Sequence, residues 1–243
     1  PSSNVISTIK DPNIITINDF LTENLSESII NNYGKVDLIC ANNVFAHVND
    51  MHDITKAIKN LLKPSGVFIF EVHYIGSLID EVQYDMIYHE HIYYYSLITL
   101  QKFFSRFDLE IFNIKSIPIH GGSMRYYVRK IDKQKNEKIS LKVINLQKNE
   151  LQKGYNVKET FLNYAKDVEK TKLNLMNLLY KLKNNKKTII GYGASGRANT
   201  LIQYCNIDAN LLDYIIDDSP MKQSYYTPKS HLEIRSRESL KEK

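Results

Sequence analysis

An α/β protein is predicted, with a parallel sheet that ends in an antiparallel hairpin, followed by a second, smaller βαβ domain. Three observations predict it. Val36 to Val44 and Val67 to Val72 are short apolar runs separated by a helix-like stretch, the pattern of buried parallel strands joined by a crossover helix. Leu109 to Ile117 and Met124 to Lys130 read as two strands joined across Pro118-Ile-His-Gly-Gly-Ser123. Further on, Lys187 to Ile190 runs into Gly191-Tyr-Gly193-Ala-Ser-Gly196, a glycine-rich turn from strand to helix.

Taken in order, Asn13 to Ile17 is a short β-rich run and Asn24 to Asn32 a helix. The Val36 to Val44 strand follows, then helical periodicity from Asp53 to Lys63, stopping at Pro64-Ser65-Gly66. Val67 to Val72 completes a βαβ unit, so this half is expected to have helices on both faces of a parallel sheet. Ligands of such sheets bind at the carboxyl ends of the strands, here Asn42 to His47 and Glu71 to Tyr74. Tyr95 to Phe107 is amphipathic, and the hairpin comes next. Parallel strands with a terminal antiparallel pair form the layout of class I S-adenosylmethionine-dependent methyltransferases. Ile139 to Lys183 is helical and Lys-rich. After the glycine-rich turn, a helix to Cys205 and a strand from Leu211 to Ile216 lead to Asp217-Asp218, which completes a Rossmann-like GxGxxG unit. In such a unit the helix N-terminus attracts phosphate and the acidic pair can accept from a ribose hydroxyl. The expected division is residues 1–130, a helical spacer over 131–184, and a second domain over 185–243.

Bulk properties narrow the function. The 243 residues suffice for two domains, and 43% hydrophobic with 24% charged residues is ordinary globular composition. No apolar run has the length of a membrane span, and residues 1 to 20 do not have the pattern of a secretory signal. The two cysteines, Cys40 and Cys205, are distant, so a reducing cytoplasm is expected. The net charge of +5 is spread out, and Lys alternates with Glu and Asn where basic residues are dense, which argues against nucleic acid as a partner. The chain begins with Pro and ends in the charged run Arg235 to Lys243, and it is expected to be a fragment.

The densest chemistry lies in Tyr88-His-Glu-His-Ile-Tyr-Tyr-Tyr95. An imidazole beside a carboxylate that orients its second nitrogen is the usual form of a general base. His91 with Glu90 fits that description in a loop. In a helix, Tyr88 and His91 would share one face, three residues apart, and Glu90 would point away. A metal site is the rival, with His89 and His91 on one side of a strand and Glu71, His73 or His120 completing it. No HExxH and no paired CxxC accompanies them, and no metal is assigned.

Five segments, in order, resemble the sugar C-methyltransferases that act on nucleotide-linked 4-ketohexoses: Asn42-Asn-Val-Phe-Ala-His47-Val, Gly66-Val-Phe-Ile-Phe-Glu71-Val, Tyr84-Asp-Met-Ile-Tyr88-His-Glu-His91, Ile117-Pro-Ile-His120-Gly-Gly-Ser-Met-Arg125 and Gly191-Tyr-Gly-Ala-Ser-Gly-Arg-Ala-Asn199-Thr. The resemblance implies a zinc-binding domain, a methyltransferase domain and a Rossmann-like domain that helps hold the nucleotide sugar. Pro1-Ser-Ser-Asn4 resembles residues after the second strand, which puts the zinc cysteines and the glycine-rich cofactor loop upstream. Near Ser224 and Lys229 the family usually has glycines, and this chain departs from it there.

The resemblance also implies the chemistry. The ketone acidifies the adjacent ring C–H, a base removes that proton, and the enolate attacks the methyl of S-adenosylmethionine. His91 is the expected base, and Glu90 orients it or the sugar. Tyr88 and His47 are expected to donate to the enolate oxygen or to steer the sugar. Asn42 and Asn43 are the expected cofactor contacts. His120, Gly191, Gly193, Arg197, Asn199 and Asp218 are the expected contacts of the nucleotide sugar. Two other classes stay open: an NAD-dependent oxidoreductase that uses the Gly191 turn, and a non-catalytic interaction fragment. Neither the methylated carbon, C-3 or C-5, nor the nucleotide base is legible.

Overall fold

The computed structural model describes residues 6–132, 134 and 138–241, so Pro1-Ser-Ser-Asn4 lies outside the described residues. They form two compact units, each drawn from two stretches of chain. The first takes residues up to Tyr74 together with Ile92–Asn156; the second takes Ile75–His91 and the chain from Val157 onward. The 131–184 stretch read as a spacer is therefore shared between them.

The first unit opens with α1 (Glu23–Tyr33), capped by Thr22, whose hydroxyl accepts the N–H of Leu25. The run Asn13 to Ile17 is not a strand: it is irregular, and Ile15 is 63% exposed. β-Branched residues favour a strand only when a neighbour supplies the ladder, and among the described residues none pairs with them. β1 (Val36–Asn42) pairs in parallel with β2 (Leu62–His73) across α2 (Met51–Leu61), so the βαβ unit forms as expected.

Two boundaries and one burial differ from expectation. α2 starts earlier than Asp53 because the Asp50 carboxylate accepts the N–H groups of His52 and Asp53 at 2.9 and 3.0 Å. β2 starts at Leu62 rather than after Gly66, with pairing that jumps from Val36↔Leu62 to Leu38↔Val67, so Lys63 to Gly66 leave the ladder as a bulge. β1 is not buried: Leu38 is 54% exposed, since nothing among the described residues covers the face it shares with Cys40.

α4 (Leu97–Phe104) leads into β3 (Leu109–Ile117) and β4 (Ser123–Lys130), the hairpin read from the sequence. The sheet order is β1-β2-β4-β3, parallel only between β1 and β2. Phe68 and Phe70, two apart on β2, face one side and form a ring cluster with Phe45, Phe104 and Tyr126, neighbouring centroids lying 4.9 to 6.3 Å apart. Beside them α5 (Leu141–Gln152) sends in the buried Glu150, which accepts the N–H groups of Leu97 and Ile98 at 2.7 and 2.9 Å and the Tyr74 hydroxyl at 2.8 Å. A carboxylate thus satisfies the first turn of α4.

The second unit holds α3 (Ile75–Asp80), α6 (Lys158–Asn184) and a parallel sheet β5-β6-β7. Its strands are β5 (Ile190–Tyr192), β6 (Tyr214–Ile216) and β7 (Ile234–Arg235), with α7 (Gly196–Cys205) between β5 and β6. β5 begins where the sequence reading ends it, and β6 is shorter than Leu211 to Ile216, because Leu211 and Leu212 turn into the core with Ile202, Ile215 and Leu232. The helical stretch expected over Ile139 to Lys183 is two helices, broken at Gly154, which takes a φ of +69° that glycine tolerates.

Candidate functional site

In the first unit, the carboxyl end of β1 opens into a cleft of about 590 Å³ lined by Asp19, Phe20, Asn43, Val44, His47 and Ile54 among others. Asn43 turns the chain out of the sheet with a φ of +54°, and its N–H donates to the Glu71 carbonyl at 2.8 Å. His47 ends a short 3₁₀ turn, Phe45–His47, whose carbonyls are held from Tyr95 (hydroxyl to Phe45, 2.6 Å) and Ile92 (N–H to Ala46, 3.0 Å). Its side chain is exposed, as are those of Asn42 and Asn43. Asp19 and Phe20 escaped the sequence reading, although an acidic residue just after the Asn13 to Ile17 run was the available signal.

At the end of β2 the buried Glu71 accepts from both Nε and Nη2 of Arg125 at 3.0 and 2.7 Å. His120 is exposed in the hairpin turn, in the left-handed region with Gly121 and Gly122 at φ of +53°, +80° and +112°. The rival metal reading needed His89 and His91 on a strand, and their segment is a loop. Among the described residues no group of three His, Cys, Asp or Glu could hold a metal ion.

Tyr88, Glu90 and His91 belong to the second unit. Their segment is not helical, yet Tyr88 and His91 meet. A turn closed by the His91 N–H on the Tyr88 carbonyl at 3.0 Å brings the Tyr88 hydroxyl to 3.2 Å from Nε2 of His91. The Nδ1 atom of the same ring lies 2.9 Å from the Met86 carbonyl. A carbonyl only accepts, so Nδ1 carries the hydrogen and, in the neutral ring, Nε2 holds the lone pair that accepts from Tyr88. The orienting group on Nδ1 is thus a backbone carbonyl that no motif advertises. Burial pushes the Tyr88 phenol above its ordinary pKa and the Glu90 charge adds to this, while Arg197 acts the other way. The phenol therefore stays a donor at neutral pH. His89 and Glu90 are exposed, whereas Tyr88 and His91 are half-buried.

The glycine-rich turn lies in the same unit. A Cβ on Gly191 would stand 3.0 Å from Ile215 Cγ1, so this glycine permits close strand packing. Gly193 has a φ of +93° and donates its N–H to the Ile216 carbonyl. Gly196 faces open space, and Ser195 caps α7 through the Ala198 N–H at 3.1 Å. The N–H groups of Gly196 and Arg197 have no partner among the described residues.

The acidic pair is occupied. Asp217 accepts from Ala194 N–H at 2.8 Å and from Lys222 at 3.1 Å. Asp218 accepts from the Tyr192 hydroxyl at 2.6 Å and from Arg237 at 2.7 Å. Arg197 gives Nε and Nη2 to Asp85, at 2.8 and 2.7 Å, and Asn199 keeps a buried side-chain oxygen without a partner among the described residues.

Comparison with known proteins bears on the family. A methyltransferase-domain family model matches residues 4–114, and a model of the C-methyltransferase C-terminal domain matches residues 118–243. The chain is 26% identical over 238 residues to the C-methyltransferase NovU of Streptomyces niveus, covering 98% of this chain and 56% of that protein. It thus spans about half the length of the curated relative it matches. Among solved structures, an S-adenosylmethionine-dependent methyltransferase of Anabaena variabilis overlaps 51% of this chain and 62% of its own at a TM-score of 0.38 and 15% identity. One of Clostridium acetobutylicum overlaps 51% and 63% at a TM-score of 0.31 and 17% identity. With more than half of its residues matched by the C-terminal-domain model, the chain belongs to the C-methyltransferase family.

Proposed function

We propose that the full-length protein transfers a methyl group from S-adenosylmethionine to the ring carbon beside the ketone of a nucleotide-linked 4-ketosugar, with His91 as the base. The Tyr88–His91 couple carries this reading, because the Met86 carbonyl holds the imidazole in the tautomer whose Nε2 can take a proton. As the sugar enters, the Tyr88 hydroxyl passes from Nε2 to the ketone oxygen. The ring C–H bond breaks, the proton goes to Nε2, and the electron pair moves onto an oxygen held by the phenol. A preorganised donor of this kind contributes several kcal/mol. S-adenosylmethionine, when bound, supplies the electrophilic methyl.

The first-unit cleft suits an adenosine: Phe20, Val44 and Ile54 offer apolar walls, and Asp19 and Asn43 polar edges. In the second unit, the Gly196 and Arg197 N–H groups at the start of α7 suit the diphosphate of the sugar nucleotide. Two free cysteines agree with a cytoplasmic location. In domain terms, the first unit is the methyltransferase part, and the second, which takes in Ile75–His91, is the sugar-nucleotide part.

The test uses full-length protein with a nucleotide 4-ketosugar deuterated beside the ketone. Deuterium is expected to be lost at that carbon with the new methyl on carbon, and methylation on oxygen sinks the reading. A methyl at Gly196 meets open space, so Gly196→Ala is expected to fold normally and to weaken sugar-nucleotide binding several-fold.

A further inference from the structure

The five residues ahead of the Tyr88–His91 couple, Gln83 to Ile87, form no helix or strand, and each is held in place. The Gln83 carbonyl accepts from the Tyr164 hydroxyl of α6 at 2.7 Å. Tyr84 has its hydroxyl 3.6 Å from Cys205 Sγ and its ring centroid 5.1 Å from that of Tyr204, both near the end of α7. Asp85 takes both Nε and Nη2 of Arg197, in the first turn of α7, on one carboxylate oxygen. Met86 is buried, and its carbonyl accepts Nδ1–H of His91 at 2.9 Å. The Ile87 N–H closes on the Tyr84 carbonyl at 3.0 Å, so Asp85 and Met86 are the two central residues of one turn.

The anchors on α7, Arg197 at one end and Tyr204 with Cys205 at the other, stand two helical turns apart, roughly 11 Å along the axis. Attachment at one point leaves a loop free to pivot, and attachment at two sets its orientation. The orientation at stake is that of the Met86 carbonyl. If it swings away, Nδ1–H loses this acceptor, the Nε2–H tautomer gains population, and that tautomer has no lone pair facing Tyr88.

We infer that Asp85, pinned by Arg197, is a positioning residue for His91, setting the Met86 carbonyl that holds the imidazole in its proton-accepting tautomer. The inference rests on the reading of His91 as the base. It gives the Asp85–Arg197 ion pair a task in the reaction that neither a diphosphate contact nor folding alone requires.

Nitrogen-15 imidazole spectra of the full-length protein, at a pH where the ring is neutral, read the tautomer without any ligand. The His91 signal is identified by its loss in His91→Gln. Wild type is expected to show hydrogen on Nδ1 and none on Nε2. In Asp85→Asn, nearly isosteric, the Nε2–H form is expected to appear. Loss of deuterium from the ketosugar should slow about tenfold, with KM within about twofold, the size of one hydrogen bond's preference. Arg197→Lys, which keeps the charge but not the two-pronged grip, is expected to shift the tautomer in the same direction. An unchanged His91 tautomer in both variants overturns the inference, whatever the rates do. A shifted tautomer combined with deuterium loss that persists in His91→Gln supports the positioning role and sinks the base assignment instead.

Discussion

His89 and His91 stand two residues apart in one loop and meet different surroundings. His91 is half-buried, bonded through Nδ1 to Met86 and through Nε2 to Tyr88, while His89 is exposed. In full-length protein, His91→Ala is expected to lower kcat about a hundredfold to ten-thousandfold with little change in ligand affinity, and His89→Ala to cost less than about tenfold. Equal losses, measured side by side, would overturn the assignment. Asp217 makes a different kind of prediction. Burial alone would raise its pKa, but the Ser219 and Ala194 N–H groups and Lys222 outweigh it and hold the carboxyl below its ordinary value. A lowered carboxylate pKa gives stability that is present above the unfolded value near 4 and lost as pH falls through the folded one. Asp217→Asn is therefore expected to cost about 1 kcal/mol at pH 7, and its melting temperature should converge on wild type below about pH 4. A gap that persists in acid would mean the charge is not what stabilises the turn.

Among the elements, the loop from β6 to β7 bends through residues poorly suited to their conformation. Ser224 and Lys229 sit at φ of +66° and +65°, in the left-handed region where a side chain crowds the backbone. Near these positions the family resemblance implied glycines. Lys229→Gly and Ser224→Gly are each expected to raise stability by about 0.5 kcal/mol, the relief exceeding the extra entropy glycine loses on folding. Thermal melts check this, and a drop in melting temperature would show that the side chains make compensating contacts. Helix α4 is capped locally by Ser96 and, in addition, by a residue far along the chain, Glu150. Burial raises the Glu150 carboxyl pKa, with the Ile98 and Leu97 N–H groups pulling it down, and no local pattern near Ser96 foretells that partner.

Across the whole molecule, the second unit gathers Ile75–His91 with the chain beyond Val157, so the Tyr84 to His91 motif and the Gly191 turn share one packed body. Ile215 is buried in the core of that body with Leu212, Ile202 and Leu232. Ile215→Ala is expected to cost about 3 kcal/mol and to speed amide hydrogen exchange at Ile87 and His91, whose N–H groups close the turns of the loop. Unchanged exchange there would show that the loop does not draw its stability from this core.

Local pattern was enough to determine much of this protein. Apolar runs marked β2 and the hairpin, because a strand's side chains report their own burial, and marked β1 although its Leu38 face is exposed; the glycine spacing marked the β5–α7 turn, because backbone conformation there excludes most other residues. The order of the motifs by itself points to the family. Tertiary structure alone decided the rest. Asn13 to Ile17 has strand-forming residues and no ladder. Tyr88 and His91 are joined by a turn where helical spacing offered one possibility and loop geometry another. The Met86 carbonyl, the Asp85–Arg197 grip and the Glu150 cap all join residues distant in sequence or act through backbone atoms every residue possesses. Such contacts leave no periodic trace in a chain, since their energy depends on where the fold brings groups together and not on which neighbours they have in sequence.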